Sequence, residues 1–349
     1  ARYLELAERM QFQLNAVLWD EKSGYLLNMI DSSQLDRHFY AGSILAAAYG
    51  LLDNGRRERL LQAVREQLLD SRLGVRNVMP PDFHELVDLY RFNGPEMGQP
   101  YVYINGGVWP QGNVWYALGL LAAGQPDSAK QVLQKYLTLQ GIRQSPNGQP
   151  SFYEYRNADP DSPDYGKIDK PTFMWAGGLY LHALYNLFGL RENSWNLSFN
   201  AAAPSGLETA EYDLMLFGRK CRVRFSGNGS YFRRILKNGS PDYSAVVYGP
   251  ACEYILERGK PETPYLATAD CKPDSVRYSG EKRQLFFTTT GISGKTVQVK
   301  VVSPLKLNAM YLNKNLQKNG IATQMENGVY LYSLSGRQTA SALHWQLQF

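Results

Sequence analysis

The sequence predicts an α+β chain of two domains, helical hairpins over residues 1–192 and an antiparallel β-sandwich over 193–349. Three observations carry that expectation. Apolar residues recur at helical spacing through the first 190 residues, short alternating runs replace them after Gly189, and 349 residues exceed the ~100–200 of a typical single domain.

Leu4, Ala7, Met10, Leu14 and Val17 space a first helix over 4–18. Phe39 to Leu52 reads as an almost wholly apolar helix of small residues, fit for burial between neighbours. Arg56 to Leu69 is amphipathic, with Leu60, Leu61, Val64 and Leu68 on one side, and a short helix is expected near Phe83 to Leu89. Asn113 is placed as the cap of a helix running to Ala123. Pro126 opens another to about Leu139, with Ala129, Val132, Leu133 and Tyr136 inward, and Pro171 opens the last, through Phe188. Beyond Gly189, strands are expected at 195–199, 221–225, 245–248, 284–289, 297–302, 328–332 and 342–346, with turns such as Gly227-Asn228-Gly229 between them. No repeat is visible beyond helix pairing.

Composition narrows the function classes. Hydrophobic residues at 44% supply real cores, and no apolar run approaches the ~20 residues of a membrane span, so no membrane partner is expected. The formal charge of +5 conceals an asymmetry. Residues 1–200 hold 18 Lys and Arg against 21 Asp and Glu, a net −3, and the remainder 19 against 11, a net +8. The C-terminal charges are interspersed along strand-like runs, as on a solvated sheet face, so no nucleic-acid partner is expected. Cys221, Cys252 and Cys271 form no CxxC pair and read as buried thiols or at most one disulfide, with no metal site. They leave the compartment undecided, the periplasm or secretion being preferred. The opening Ala1-Arg2-Tyr3-Leu4-Glu5 reads as an internal helix of a longer protein or as a processed chain.

Two stretches carry chemistry. Tyr103-Ile104-Asn105-Gly106-Gly107-Val108-Trp109-Pro110 is a glycine-rich turn bearing an amide and an indole, and Phe152-Tyr153-Glu154-Tyr155 sets one carboxylate among three rings. A sugar ring stacks its C–H face on an aromatic and bonds its hydroxyls to polar groups. The two stretches lie in expected loops of 22 residues (Arg91 to Gly112) and 29 residues (Gly141 to Asp169), too long for mere connectors. With the order Trp19-Asp20-Glu21-Lys22-Ser23-Gly24-Tyr25-Leu26, the Asn105 turn, Ala117 to Gly124, Phe152 to Tyr155 and Phe173-Met174-Trp175-Ala176-Gly177-Gly178, residues 15–200 resemble the six-hairpin glycosidases with an (α/α)6 toroid. The echoes are to the processing α-glucosidase I, amylo-α-1,6-glucosidase and cellobiose-phosphorylase groups.

That resemblance implies the C-terminal half of a toroid followed by the β domain. It implies an inverting hydrolase of oligosaccharide or polysaccharide, without a cofactor and with Glu154 as general base. The general-acid aspartate would come from a missing N-terminal half or a partner chain. Left to the residues alone, Glu154 reads more simply as a solvated loop glutamate, Trp109 has the alternative of plugging its hairpin, and Trp175 is equally a core residue. Asn105, Gly106 and Trp109 are expected to line the sugar pocket, with Tyr153, Tyr155, Trp175 and Arg37 as further substrate contacts. Asp36, before Arg37, serves more simply as a helix cap. Asp159, Asp161, Asp164 and Asp169 read as an acidic loop, and His84 and His182 as structural.

Three other classes compete. A phosphorylase needs a histidine after the Asn-Gly-Gly turn and a Gly-Thr pair near the last helix, where Pro110-Gln111 and Ala176-Gly177 stand. A polysaccharide lyase would use a tyrosine, histidine or lysine base beside Arg91 or Asn105. The last is a non-catalytic glycan-binding protein.

Overall fold

The computed structural model describes residues 2–31, 34–90, 97–173, 175–192, 196–338 and 342–349. Arg2–Leu187 and Phe188–Phe349 pack as two compact units.

The helical unit is organised around α5 (Pro110–Ala122), whose residues are nearly all buried. Around it pack α2 (Ile44–Ala48), α3 (Asn54–Ala63), α6 (Pro126–Leu137) and α8 (Gly177–Leu187). The remaining helices are α1 (Arg2–Gln13), α4 (Val87–Tyr90) and α7 (Leu139–Arg143). Short strand pairs cap the helix ends. They are β1 (Trp19–Asp20) with β2 (Tyr25–Leu26), β3 (Met29–Asp31) with β4 (Gln34–Asp36), and β6 (Leu69–Asp70) with β7 (Gly74–Val75). β5 (Phe39–Tyr40) pairs with β8 (Val78–Met79), and β9 (Tyr155–Arg156) with β10 (Ile168–Asp169).

Several expected elements are corrected. The Phe39–Leu52 helix is a strand, a 3-10 turn and the short α2, because Phe39 and Tyr40 pair with Met79 and Val78. Asn113 does not cap α5. Pro110 occupies the first turn, where its missing N–H costs nothing, and Asn113 is buried with its Oδ1 accepting from Val75 N at 2.8 Å. Pro171 lies in a turn, and α8 begins at Gly177. α3 starts earlier than expected, at Asn54, capped by the Asp53 carboxylate on Arg56 N. α1 stops at Gln13, and Met10 and Val17, expected inward, are exposed.

A repeat missed in the sequence joins two of these elements. Leu14–Leu18 and Val64–Leu68 are both π-turns, each ending a helical run and each followed by a hairpin of two-residue strands. Leu18, Asp20 and Gly24 recur fifty positions on as Leu68, Asp70 and Gly74. Both aspartates accept turn N–H groups, Asp20 from Ser23 and Asp70 from Arg72 and Leu73.

The second unit is antiparallel apart from one strand pair. β11 (Leu190–Glu192) pairs with β12 (Leu197–Phe199). The first larger sheet takes β13 (Ala210–Leu216), β14 (Arg219–Ser226), β15 (Phe232–Lys237), β16 (Ser240–Asp242) and β17 (Glu253–Arg258), in the order β13-β14-β17-β15-β16. β14 and β17 run parallel. The other sheets use β18 (Tyr265–Ala269), β19 (Lys272–Ser279), β20 (Gln284–Thr290), β21 (Thr296–Ser303), β22 (Ala309–Leu312), β23 (Asn315–Gln317), β24 (Ile321–Glu326), β25 (Val329–Arg337) and β26 (Leu343–Gln348). Their orders are β18-β21-β25-β24 and β19-β20-β26-β22-β23. The expected strand at 245–248 is absent. Val246 makes only an isolated bridge to Ser198. Trp195, expected to open a strand, lies outside the described residues. All three cysteines are free, and Cys252 is exposed rather than buried.

Candidate active site

The Asn105 turn is built by close approach. Gly106 has φ +97, and a Cβ on Gly107 would stand 2.6 Å from Tyr103 N, so no side chain fits there. Asn105 is fully buried inside the turn. Its Oδ1 accepts from Phe83 N at 3.2 Å and its Nδ2 donates to Gly98 O at 3.3 Å. The amide thus holds two loops together and presents no group at the surface.

What the turn presents is Trp109. Its indole packs on Trp175 at 4.7 Å between ring centroids and on Tyr103 at 5.3 Å. Tyr103 meets Tyr155 edge-on at 5.4 Å, and Phe173 meets Trp175 at 5.8 Å. Five rings therefore form one run, open to solvent at Trp175 (44% exposed) and Phe173 (42%).

Backbone pairing brings the carboxylate to this run. Val108 and Arg156 exchange N–H···O bonds of 3.1 and 2.9 Å, an isolated antiparallel bridge that lays the start of α5 beside the chain carrying Tyr155 and Glu154. Glu154 is 7% exposed, and its Oε2 accepts a hydrogen bond from Lys170 Nζ. Its backbone N–H donates to Asp169 O at 3.2 Å. The Glu154 bond is the foremost cause that holds the Lys170 ammonium above its ordinary pKa. Burial, then the charges of Asp169 and Glu154, push the Tyr155 phenol up. Lys170, Thr172, Tyr101 and Tyr103 all sit at positive φ, a concentration of strained backbone around one site.

The first residues of α5 add unsatisfied groups. Trp109 Nε1, Gln111 Oε1 and Asn113 Nδ2 are buried without a hydrogen-bond partner among the described residues. Each such atom costs about 1–3 kcal/mol in a folded protein, and structures retain that cost chiefly where a ligand, water or function answers it.

The structure brings Trp109, Trp175 and Tyr155 together, and Tyr155 adjoins Glu154 in the chain. It does not bring Asn105, Tyr153 or Arg37 to the same surface. Tyr153 is fully buried beneath the Arg156 guanidinium, and burial pushes its phenol up to about 12. Arg37 pairs with Asp20 at 3.0 Å. Arg91 and Met174 lie outside the described residues. Tyr103, Lys170 and Gln111 were missed. Gln111 was legible as a polar residue on an apolar helix start, whereas Lys170 needs the β9–β10 pairing to find Glu154.

Asp36, expected as a helix cap, instead ends β4 and accepts from His38 N at 3.0 Å, and a charged cluster forms there whose link to Asp82 was missed. His38 is buried with Nδ1 at 2.6 Å from Asp36 Oδ1 and Nε2 at 2.6 Å from Asp82 Oδ1. Burial opposes its charged form, but the hydrogen bonds and charges of both carboxylates outweigh burial and raise its pKa above the ordinary 6.5.

No family model matches this chain, and no curated protein matches it. Among solved structures it is similar to a GH63 mannosylglycerate hydrolase from Thermus thermophilus in complex with glucose. There the identity is 20% over 51% of this chain and 38% of that one, with a TM-score of 0.35. It is likewise similar to an uncharacterized conserved protein from the same organism, at 20% identity over 51% and 37% with a TM-score of 0.34. The matched region thus spans less than two fifths of either structure's length.

Proposed function

We propose that the helical unit carries part of an inverting glycoside hydrolase site acting on an oligosaccharide or polysaccharide, with Glu154 as general base. The observation that carries this reading is a carboxylate almost removed from water beside a run of five aromatic rings that opens to solvent. A sugar stacked on Trp175 and Trp109 would have its reacting carbon offered to a water that Glu154 deprotonates. In such enzymes the second carboxyl stands ~6.5–9.5 Å away and protonates the leaving oxygen. Lys170, which bonds Glu154 Oε2, has a side chain 61% exposed and can swing away when substrate enters.

The same ion pair favours a second reading, a glycan-binding site without turnover, in which Lys170 keeps Glu154 occupied. The protein bearing this chain is incubated with neutral oligosaccharides, with and without phosphate, and the first anomer released is followed by NMR. Hydrolysis with inverted configuration, independent of phosphate, is expected, and Glu154→Gln should lower turnover by about 10²–10⁴-fold. Sugar 1-phosphate would redirect the assignment to a phosphorylase, and an unsaturated product to a lyase. Binding without turnover, unaltered in Glu154→Gln, would select the second reading.

A further inference from the structure

We propose that a groove along α6 and α7 is a second glycan site, one that binds an acidic saccharide carrying uronate carboxylates. The groove encloses about 760 Å³ and is lined by Arg72, Gln131, Gln134, Lys135, Gln140 and Gln144, closing on Ser145 and Pro146. It adjoins a second hollow that shares Gln140 and Gln144 and adds Arg143. No carboxylate stands among the lining residues of either.

A fourth cation lies behind the Ser145 end. Arg156 is 1% exposed, and its guanidinium donates to Ser145 Oγ at 2.7 Å, Pro146 O at 2.9 Å and Gly166 O at 2.9 Å. All three acceptors are neutral, while the charge of Asp70 also acts on it, so part of its field reaches the groove. The carboxylate next to Arg72 in the same turn, Asp70, is already bound to Arg76 and the Tyr165 hydroxyl. The Arg72 guanidinium lies over the Tyr165 ring at 4.5 Å, which restricts it to a planar fork suited to a carboxylate.

The cations ask for an anion, and the glutamines choose which. Each primary amide both donates and accepts, the pattern that vicinal hydroxyls require, whereas a phosphate offers acceptors alone. Four such amides beside three rim cations fit a hydroxyl-rich chain with one carboxylate per sugar. None of these residues belongs to the aromatic run or the Glu154 pair, and the inference does not rest on the chemistry proposed there.

The test is calorimetric titration of the intact protein with a galacturonic acid hexamer, beside maltohexaose and a thymidine 12-mer. The uronate should bind about tenfold or more tighter than the neutral hexamer, and binding should weaken as salt rises from ~50 mM to ~0.5 M. Lys135→Glu with Arg143→Glu, both exposed, should lower uronate affinity about tenfold or more with an unaltered melting curve. Glu154→Gln should bind uronate like the wild type. Absence of uronate binding by the folded protein would overturn the proposal, as would equal affinity in the charge-reversed variant. Tighter binding of the 12-mer would make nucleic acid the occupant, and loss of uronate binding in Glu154→Gln would place the ligand elsewhere. Either result would overturn it too.

Discussion

Trp175 and His38 mark the two kinds of residue that function asks of this chain, one open and one enclosed. Trp175 stacks on Trp109 yet stays nearly half exposed, so its outer face is available to a sugar while its removal opens no core cavity. Trp175→Ala should therefore raise KM about tenfold, from ~1–2 kcal/mol of lost stacking, with a melting temperature close to wild type. A large fall in stability instead would make Trp175 a packing residue. His38 is the opposite case. Its pKa is raised in the folded chain, so the stability it contributes is complete below about 6.5 and is lost as pH rises through the higher folded value. The stability gap between wild type and His38→Gln should be widest near pH 5 and narrow above pH ~6.5, as read from denaturant unfolding across pH. A gap that widens with pH would refute the charged imidazole. That Trp109, Trp175 and Tyr155 come together was suggested by the aromatic residues crowding three separate loops, which a linear string shows. Lys170 and Asp82 were not legible, since each meets its partner only through strand pairing or chain reversal.

At the scale of elements, the join between β7 and α5 decides how the Asn105 turn is held. Asn113 Oδ1 takes the Val75 N–H that no strand satisfies, locking the hairpin onto the helix that carries Trp109. Asn113→Ala leaves that buried donor without a partner and should cost about 1–3 kcal/mol in chemical denaturation. If stability were unaltered, the contact would be incidental. The sequence placed α6 well, because Pro126 and an amphipathic spacing agree there. It misplaced α5 and α8, where the apolar spacing is continuous on every side and a period cannot show where the helix begins. β24 was missed for the opposite reason. All six of its residues are exposed, so only its pairing with β25 defines it.

Across the whole molecule, the period of apolar residues changes after Gly189, and the two compact units divide between Leu187 and Phe188. The arrangement of helices was not legible, since packing partners do not follow from spacing. Along the first helix, Tyr3, Leu6 and Met10 are exposed on one side. Covering each such side chain is worth ~1.5–3 kcal/mol, so this face is expected to take up another polypeptide segment. The protein should bind a hydrophobic dye or self-associate in light scattering, and Leu6→Glu with Met10→Glu should reduce both. A monodisperse monomer that ignores the dye would count against a missing covering segment.

The position of β26 sets a clock on this protein's birth. Residues 343–348 form the middle strand of their sheet, flanked by β20 and β22, and bring Trp345 to stack on Phe287 at 5.5 Å. Until the ribosome has passed them, both flanking strands wait with open edges, and the core between them has no centre. A nascent chain stalled at residue 342 would be one that chaperones hold rather than one with a closed sheet.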